Sequence, residues 1–226
     1  MLTLSKENFI NLESKMKEAG YTHELSVLKK VLRKKEQLPA EEFAKHAIYV
    51  VLASGFKQKT AKIKHREIMG FLQGSAPETE INRLAVKLLK IFGNKNKVNA
   101  IAKIWLKRTE YRNGYYALEK ENLEAKLGYL LSLPHIGPIT RNHLARNLGE
   151  DVAKYDIWIQ RLGVNWGGRK DLVKNINNSK LDGDVKKVCD RMFAHLKEET
   201  GLPIGYIDCV LWWSCKEQII RVMPLQ

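Results

Sequence analysis

Cysteine is scarce in this sequence. Its 226 residues hold three, Cys189, Cys209 and Cys215. An odd number at irregular spacing argues against a disulfide framework and for reduced thiols, hence a cytoplasmic setting. Long apolar runs are missing too. The longest, Ala47 to Ala53, lies between Lys45 and Lys57 and falls far short of the roughly 20 residues that span a bilayer. No signal-peptide pattern is visible at the start, so none is expected. No stretch alternates in the way a half-buried strand does, and there is no glycine-rich nucleotide loop, internal repeat or low-complexity tract. His46, His65, His143 and His195 stand in no ligand spacing with the cysteines, so no metal site is expected.

Acid is the last shortage. Lys and Arg number 39 against 25 Asp and Glu, a formal charge of +14. Such a balance favours a polyanionic partner and speeds its encounter without naming it. An acidic membrane surface is the weaker candidate, because no amphipathic lysine-rich helix dominates.

What remains is helical periodicity. Ser5 is placed to cap a helix through Phe9, Leu12 and Met16 that closes at Gly20, and Leu25, Leu28, Val31 and Leu32 form a second stripe. After Pro39, the run from Phe43 to Leu52 is apolar nearly all round and reads as a buried helix ending at Ser54-Gly55. Lys57, Lys59, Lys62, Lys64 and Arg66 read chiefly as a solvated face, with a basic helix face toward a polyanion as the alternative. Pro77 is expected to open a helix through Leu84 and Leu88. Asn113-Gly114 reads as a turn among Tyr111, Tyr115 and Tyr116, which either pack between lobes or stack on a base. Leu118 to Leu130 leads into Leu133. Later helices run through Val185 to Leu196, closed by Gly201, and through Tyr206 to Trp213. The fold class is all-α.

The organising stretch runs from Leu133 to Gly163. Pro134 and Gly137 flank a tight turn, with Gly137 free to take a positive φ or admit a close backbone. Pro138 suits a first helical position. Leu144 and Leu148 share a face, and Gly149 is a stop. Asp156 then sits where an N-cap belongs, ahead of Ile157, Ile159, Leu162 and a terminating Gly163. A hairpin feeding a helix N-terminus turns unpaired N–H groups outward with the helix dipole behind them, which suits a phosphate. Such contacts position nucleic acid without reading it.

These residues resemble the helix-hairpin-helix and Gly/Pro-Asp signature of the HhH-GPD DNA glycosylases, which include endonuclease III and the 8-oxoguanine glycosylases. The hairpin Leu133-Pro134-His135-Ile136-Gly137-Pro138-Ile139-Thr140 and the trio Asp156, Ile159 and Arg161 carry the likeness. His135 replaces the family's first hairpin glycine. Tyr155 replaces the Pro or Val that often precedes the aspartate. Ile139 stands where bifunctional members have their Schiff-base lysine. The four-cysteine pattern of an iron–sulfur cluster is absent, so no cluster is expected.

The resemblance implies a two-lobed module, with residues 1–37 and 150–226 in one lobe, a helical barrel over 38–149 in the other, and Asp156 at the seam. It implies a monomer acting on double-stranded DNA, nucleoid-associated in a prokaryote, with no membrane and no organic cofactor; a monovalent cation at the hairpin is the one ion it allows. Asp156 would be catalytic. The hairpin residues His135, Gly137, Ile139, Thr140 and Arg141 would hold DNA. Gln58 and Phe56 follow the buried helix where the family fills the gap left by an extruded base, although a helix terminus with a core Phe and a solvated Gln accounts for them equally. Tyr155, Trp158 and Phe56 are the base-pocket candidates. The expected reaction is hydrolysis of an N-glycosidic bond without strand cleavage, because an aliphatic Ile139 forms no Schiff base. Lys154 is the alternative source of lyase chemistry. A non-catalytic hairpin DNA-binding protein and a helical scaffold are the other readings.

Overall fold

The structure, a computed structural model, describes residues 4–34, 36–76, 78–119, 122–177 and 179–222. Among them every regular element is a helix and no strand occurs. The chain divides into two compact units, Met1–Glu36 with Ala145–Gln226, and Gln37–Leu144.

The first unit begins with α1 (Lys6–Met16), whose N-cap Ser5 accepts the Asn8 N–H as its position foretold. A kink over Lys17–Tyr21, with Gly20 at φ +93°, swings the chain into α2 (Thr22–Lys34). The later helices of this unit are α10 (Ile157–Trp166), α11 (Gly183–Thr200) and α12 (Ile204–Lys216), with a short 3-10 turn at Lys170–Asn175. Helix α12 is its axis. Residues Gly205 to Leu211 are all buried, and the helix packs against α1, α2, α10 and α11. Phe9, Met16, Ile159, Leu162, Met192, Phe193, Ile207 and Val210 fill the core around it. Each large side chain of this kind contributes about 1.5–3 kcal/mol by leaving water.

The second unit holds α3 (Ala40–Ala53), α4 (Gln58–Gly74), α5 (Ile81–Leu89), α6 (Lys95–Leu106), α7 (Arg108–Tyr116) and α8 (Leu123–Leu131). Its axis is α3, packed against α4, α6 and α7. Phe43, Ala44, Ala47, Ile48, Val50, Val51 and Leu52 are buried on it, leaving only a narrow polar edge where Lys45 pairs with Glu41 and Glu42. Helix α9 (Pro138–Asn147) begins in this unit and its last three residues belong to the other.

Three local expectations are corrected. Gly163 does not end α10, which continues to Trp166. A Cβ at Gly163 would lie 3.2 Å from the Cys189 Cα, so this glycine lets α10 and α11 approach closely. Asn113-Gly114 is not a turn but the interior of α7, where a Cβ on Gly114 would overlap the Tyr129 ring. Leu118 precedes α8, which starts at Leu123 under an Asn122 cap that accepts from the Ala125 N–H at 3.0 Å. Pro77 lies outside the described residues.

Candidate active site and nucleic-acid interface

The hairpin is fixed by two apolar anchors and one hydroxyl. Leu133 and Ile136 are buried, and the Ile136 N–H reaches the Leu133 carbonyl at 3.2 Å. The Thr140 hydroxyl accepts the Gly137 N–H at 2.7 Å and donates to the Gly137 carbonyl at 3.2 Å. That carbonyl also takes the Arg141 N–H at 2.8 Å, the first bond of α9. Pro138 has no N–H, and the next N–H groups lie in a first turn that offers them no helical acceptor.

The positive φ of this hairpin is not at Gly137, where the sequence suggested it. It is at His135, at +63°. A left-handed residue costs L side chains energy, less for His than for bulky or branched types, so a glycine would fit this position without strain. The His135 side chain is exposed. Partial desolvation, followed by the charge of Lys97, holds its imidazole below the ordinary value. Ile139 is buried, while Arg141 is half-buried with an unpartnered Nε.

Lys97 was not anticipated. It is 4% exposed on α6, and its ammonium donates to the Leu52 and Ser54 carbonyls at the end of α3. It also lies 4.5 Å from the centroid of Phe56. Burial brings its pKa down to about 8. Phe56 itself is 42% exposed, edge-on to Phe92, while Gln58 is half-buried as the first residue of α4. Tyr115 and Tyr116 turn inward onto Phe43, and the Tyr116 hydroxyl accepts the Leu38 N–H. Tyr115 and Tyr116 therefore pack within the second unit.

Asp156 belongs to the first unit and caps α10. Its Oδ1 accepts the Trp158 N–H at 3.0 Å and the Ile159 N–H at 3.4 Å. Its Oδ2 meets the Lys154 ammonium at 3.2 Å. The loop before it is pinned residue by residue to α11 and α12. Asp151 accepts the Gly205 N–H and pairs with Lys197. The Lys154 N–H donates to Asp208, and the Tyr155 hydroxyl donates to Asp190 at 2.5 Å. Asp208 in turn holds a fully buried pair with Arg146. Burial raises the Asp208 carboxyl, opposed by Arg146 and by the Lys154 N–H. Asp156 thus has one oxygen committed to the helix and the other beside a cation.

Tyr155 takes φ +52°, and its ring lies edge-on to Phe193 in the core. Burial and Asp190 push its phenol pKa up. The ring is half-buried, with the Lys186 ammonium 5.3 Å from its centroid. Trp158 is half-buried, with the Arg161 guanidinium 5.4 Å from its ring. Sequence reasoning missed Arg146 and Asp208, whose charges act on one another and on Asp156, and Trp212, whose ring lies 5.4 Å from the Lys154 ammonium. Asp208 had a signal: it is a lone acid in the otherwise apolar run from Tyr206 to Trp213. The three cysteines are buried free thiols, and burial raises each, Cys209 to about 11. Among the described residues no cluster of His, Cys, Asp and Glu suited to a metal occurs.

No family model matches the sequence, and no curated protein does. Solved structures do match. The Methanocaldococcus jannaschii 8-oxoguanine glycosylase/lyase in complex with a 15-mer DNA containing 8-oxoguanine aligns with a TM-score of 0.66 and 18% identity, over 94% of this chain and 99% of that one. The 8-oxoguanine DNA glycosylase of the same organism gives 0.64 and 19%, over 96% of each chain. The chain has the helical glycosylase fold. At this identity the likeness is one of fold, so the chemistry rests on the residues.

Proposed function

We propose that this protein is a monomeric DNA glycosylase that extrudes a damaged or modified base from duplex DNA and hydrolyses its N-glycosidic bond, leaving an abasic site. The observation that carries the reading is the carboxylate of Asp156, immobilised on α10 by two backbone N–H groups with its second oxygen turned toward Lys154. The hairpin from His135 to Arg141 binds phosphate through backbone N–H groups at the start of α9. The fold shared with DNA-bound 8-oxoguanine glycosylase/lyase supports the same direction, as does the charge of +14.

The target nucleotide must leave the stack, because its C1′ is inaccessible inside the duplex. As the base departs, positive charge grows on the sugar. Asp156 stabilises that charge and positions a water for attack. Ile139, buried and aliphatic at the hairpin, supplies no amine for a Schiff base, so the reaction ends at the abasic site. The solved relative is named a lyase as well, which makes this the finer point to test. Duplexes with single altered bases are incubated with the protein and divided between alkali and borohydride. Alkali-dependent breaks without a trapped covalent complex are the expected result. A trapped complex overturns the monofunctional reading.

A further inference from the structure

Beside Asp156 the first unit gathers positive charge and hydrogen-bond donors. The Lys154 ammonium, 3.2 Å from the Asp156 Oδ2, also lies 5.4 Å from the ring centroid of Trp212. The Lys216 ammonium lies 5.6 Å from the same ring. The Trp212 indole N–H is buried with no hydrogen-bond partner. Lys154 is neither free on the surface nor sealed in the core: its side chain is 19% exposed, against 12% for Asp156. Its backbone is tied to Asp208 on α12, so the ammonium is presented from a fixed loop.

A glycosidic bond breaks with its electron pair going to the base. An uncharged base therefore leaves as an anion, whereas a purine alkylated on a ring nitrogen, already cationic, leaves neutral. The first kind needs a cation or proton donor at the departing ring. The second needs an aromatic face or a carboxylate free to meet its charge. Here the face of Trp212 already attracts two ammonium groups, and a cationic base would be repelled by both.

We infer that Lys154 is a catalytic residue that stabilises the departing base, and that the site accordingly takes uncharged bases and rejects cationic N-alkylated purines. The inference rests on the glycosylase reading of Asp156. The C1′–N bond breaks, the base receives a proton from the Lys154 ammonium, water adds its oxygen to C1′, and the water's proton passes to Asp156. Transfer of that proton from Asp156 to Lys154 restores both groups. Base plus abasic sugar equals nucleotide plus water, so the step balances.

Single-turnover excision is measured on duplexes carrying uracil, thymine opposite guanine, 8-oxoguanine, 7-methylguanine or 3-methyladenine. Wild type, Lys154→Gln and Lys154→Arg are compared. Wild type is expected to release one or more uncharged bases and to spare the two methylated purines. Lys154→Gln should lose about 10²-fold on the uncharged bases, and Lys154→Arg, which keeps the charge, should recover part of that loss. Preferential release of methylated purines, or an equal loss in Lys154→Gln on both classes, overturns the inference and leaves the glycosylase reading intact. A borohydride-trapped complex that vanishes in Lys154→Gln also overturns it, by making the lysine a nucleophile. No release of any base by wild type overturns the glycosylase reading itself.

Discussion

His135 and Tyr155 hold left-handed backbone conformations at φ +63° and +52°, one in the hairpin and one immediately before Asp156. Strain of this sort persists only where the surroundings over-determine it. Replacing His135 by glycine removes the strain but loosens the unfolded chain, so urea unfolding should show a change within about 1 kcal/mol. His135→Val, β-branched in the same conformation, should cost about 1–2 kcal/mol. Lys97 offers a pH test. Its folded pKa of about 8 lies below the unfolded value, so between about pH 8 and 10.4 the unfolded chain binds more protons. Wild-type stability should therefore rise relative to Lys97→Met as pH climbs through that window. A difference that stays flat, or falls, contradicts the burial of a charged Lys97. Neither feature was legible in the sequence. The eye assigns a positive φ to the glycine at hand, Gly137, and Lys97 looks like any other lysine in a basic helix.

At the scale of elements, apolar periodicity made α3, α11 and α12 readable, because each buries most of a face and so cannot hide its pattern. Caps were readable at Ser5 and Asp156 for the same local reason: the side chain reaches its own backbone. Glycines misled at Gly114 and Gly163, since a missing Cβ serves close packing as well as helix ending, and only the neighbours Tyr129 and Cys189 decide which. Gly163→Ala should accordingly destabilise by about 1–3 kcal/mol through overpacking of α10 on α11. Thermal unfolding reads this directly, and an unchanged midpoint would show that α11 can give way. The loop preceding Asp156 was illegible for a further reason. Its supports, Asp190 on α11 and Asp208 on α12, lie 35 and 54 residues away from their partners Tyr155 and Lys154 in sequence.

For the whole molecule, the all-helical class followed from the absence of strand patterns, and the fold matches solved glycosylases at 18–19% identity. The charge of +14 leads to a salt prediction. If about six phosphates are neutralised, duplex affinity should fall about 10³-fold between 50 and 200 mM salt; a flat response would point to a partner other than nucleic acid. The central claim concerns chemistry, and one comparison reaches it. Asp156→Asn keeps the size of the side chain and an oxygen able to cap α10, but removes the anion. Duplex binding and single-turnover base release are measured on both proteins with the same modified duplex. Unchanged binding with release slowed by 10²-fold or more, on the order expected for loss of a catalytic acid–base group, is the predicted result; release by Asp156→Asn at the wild-type rate would contradict it.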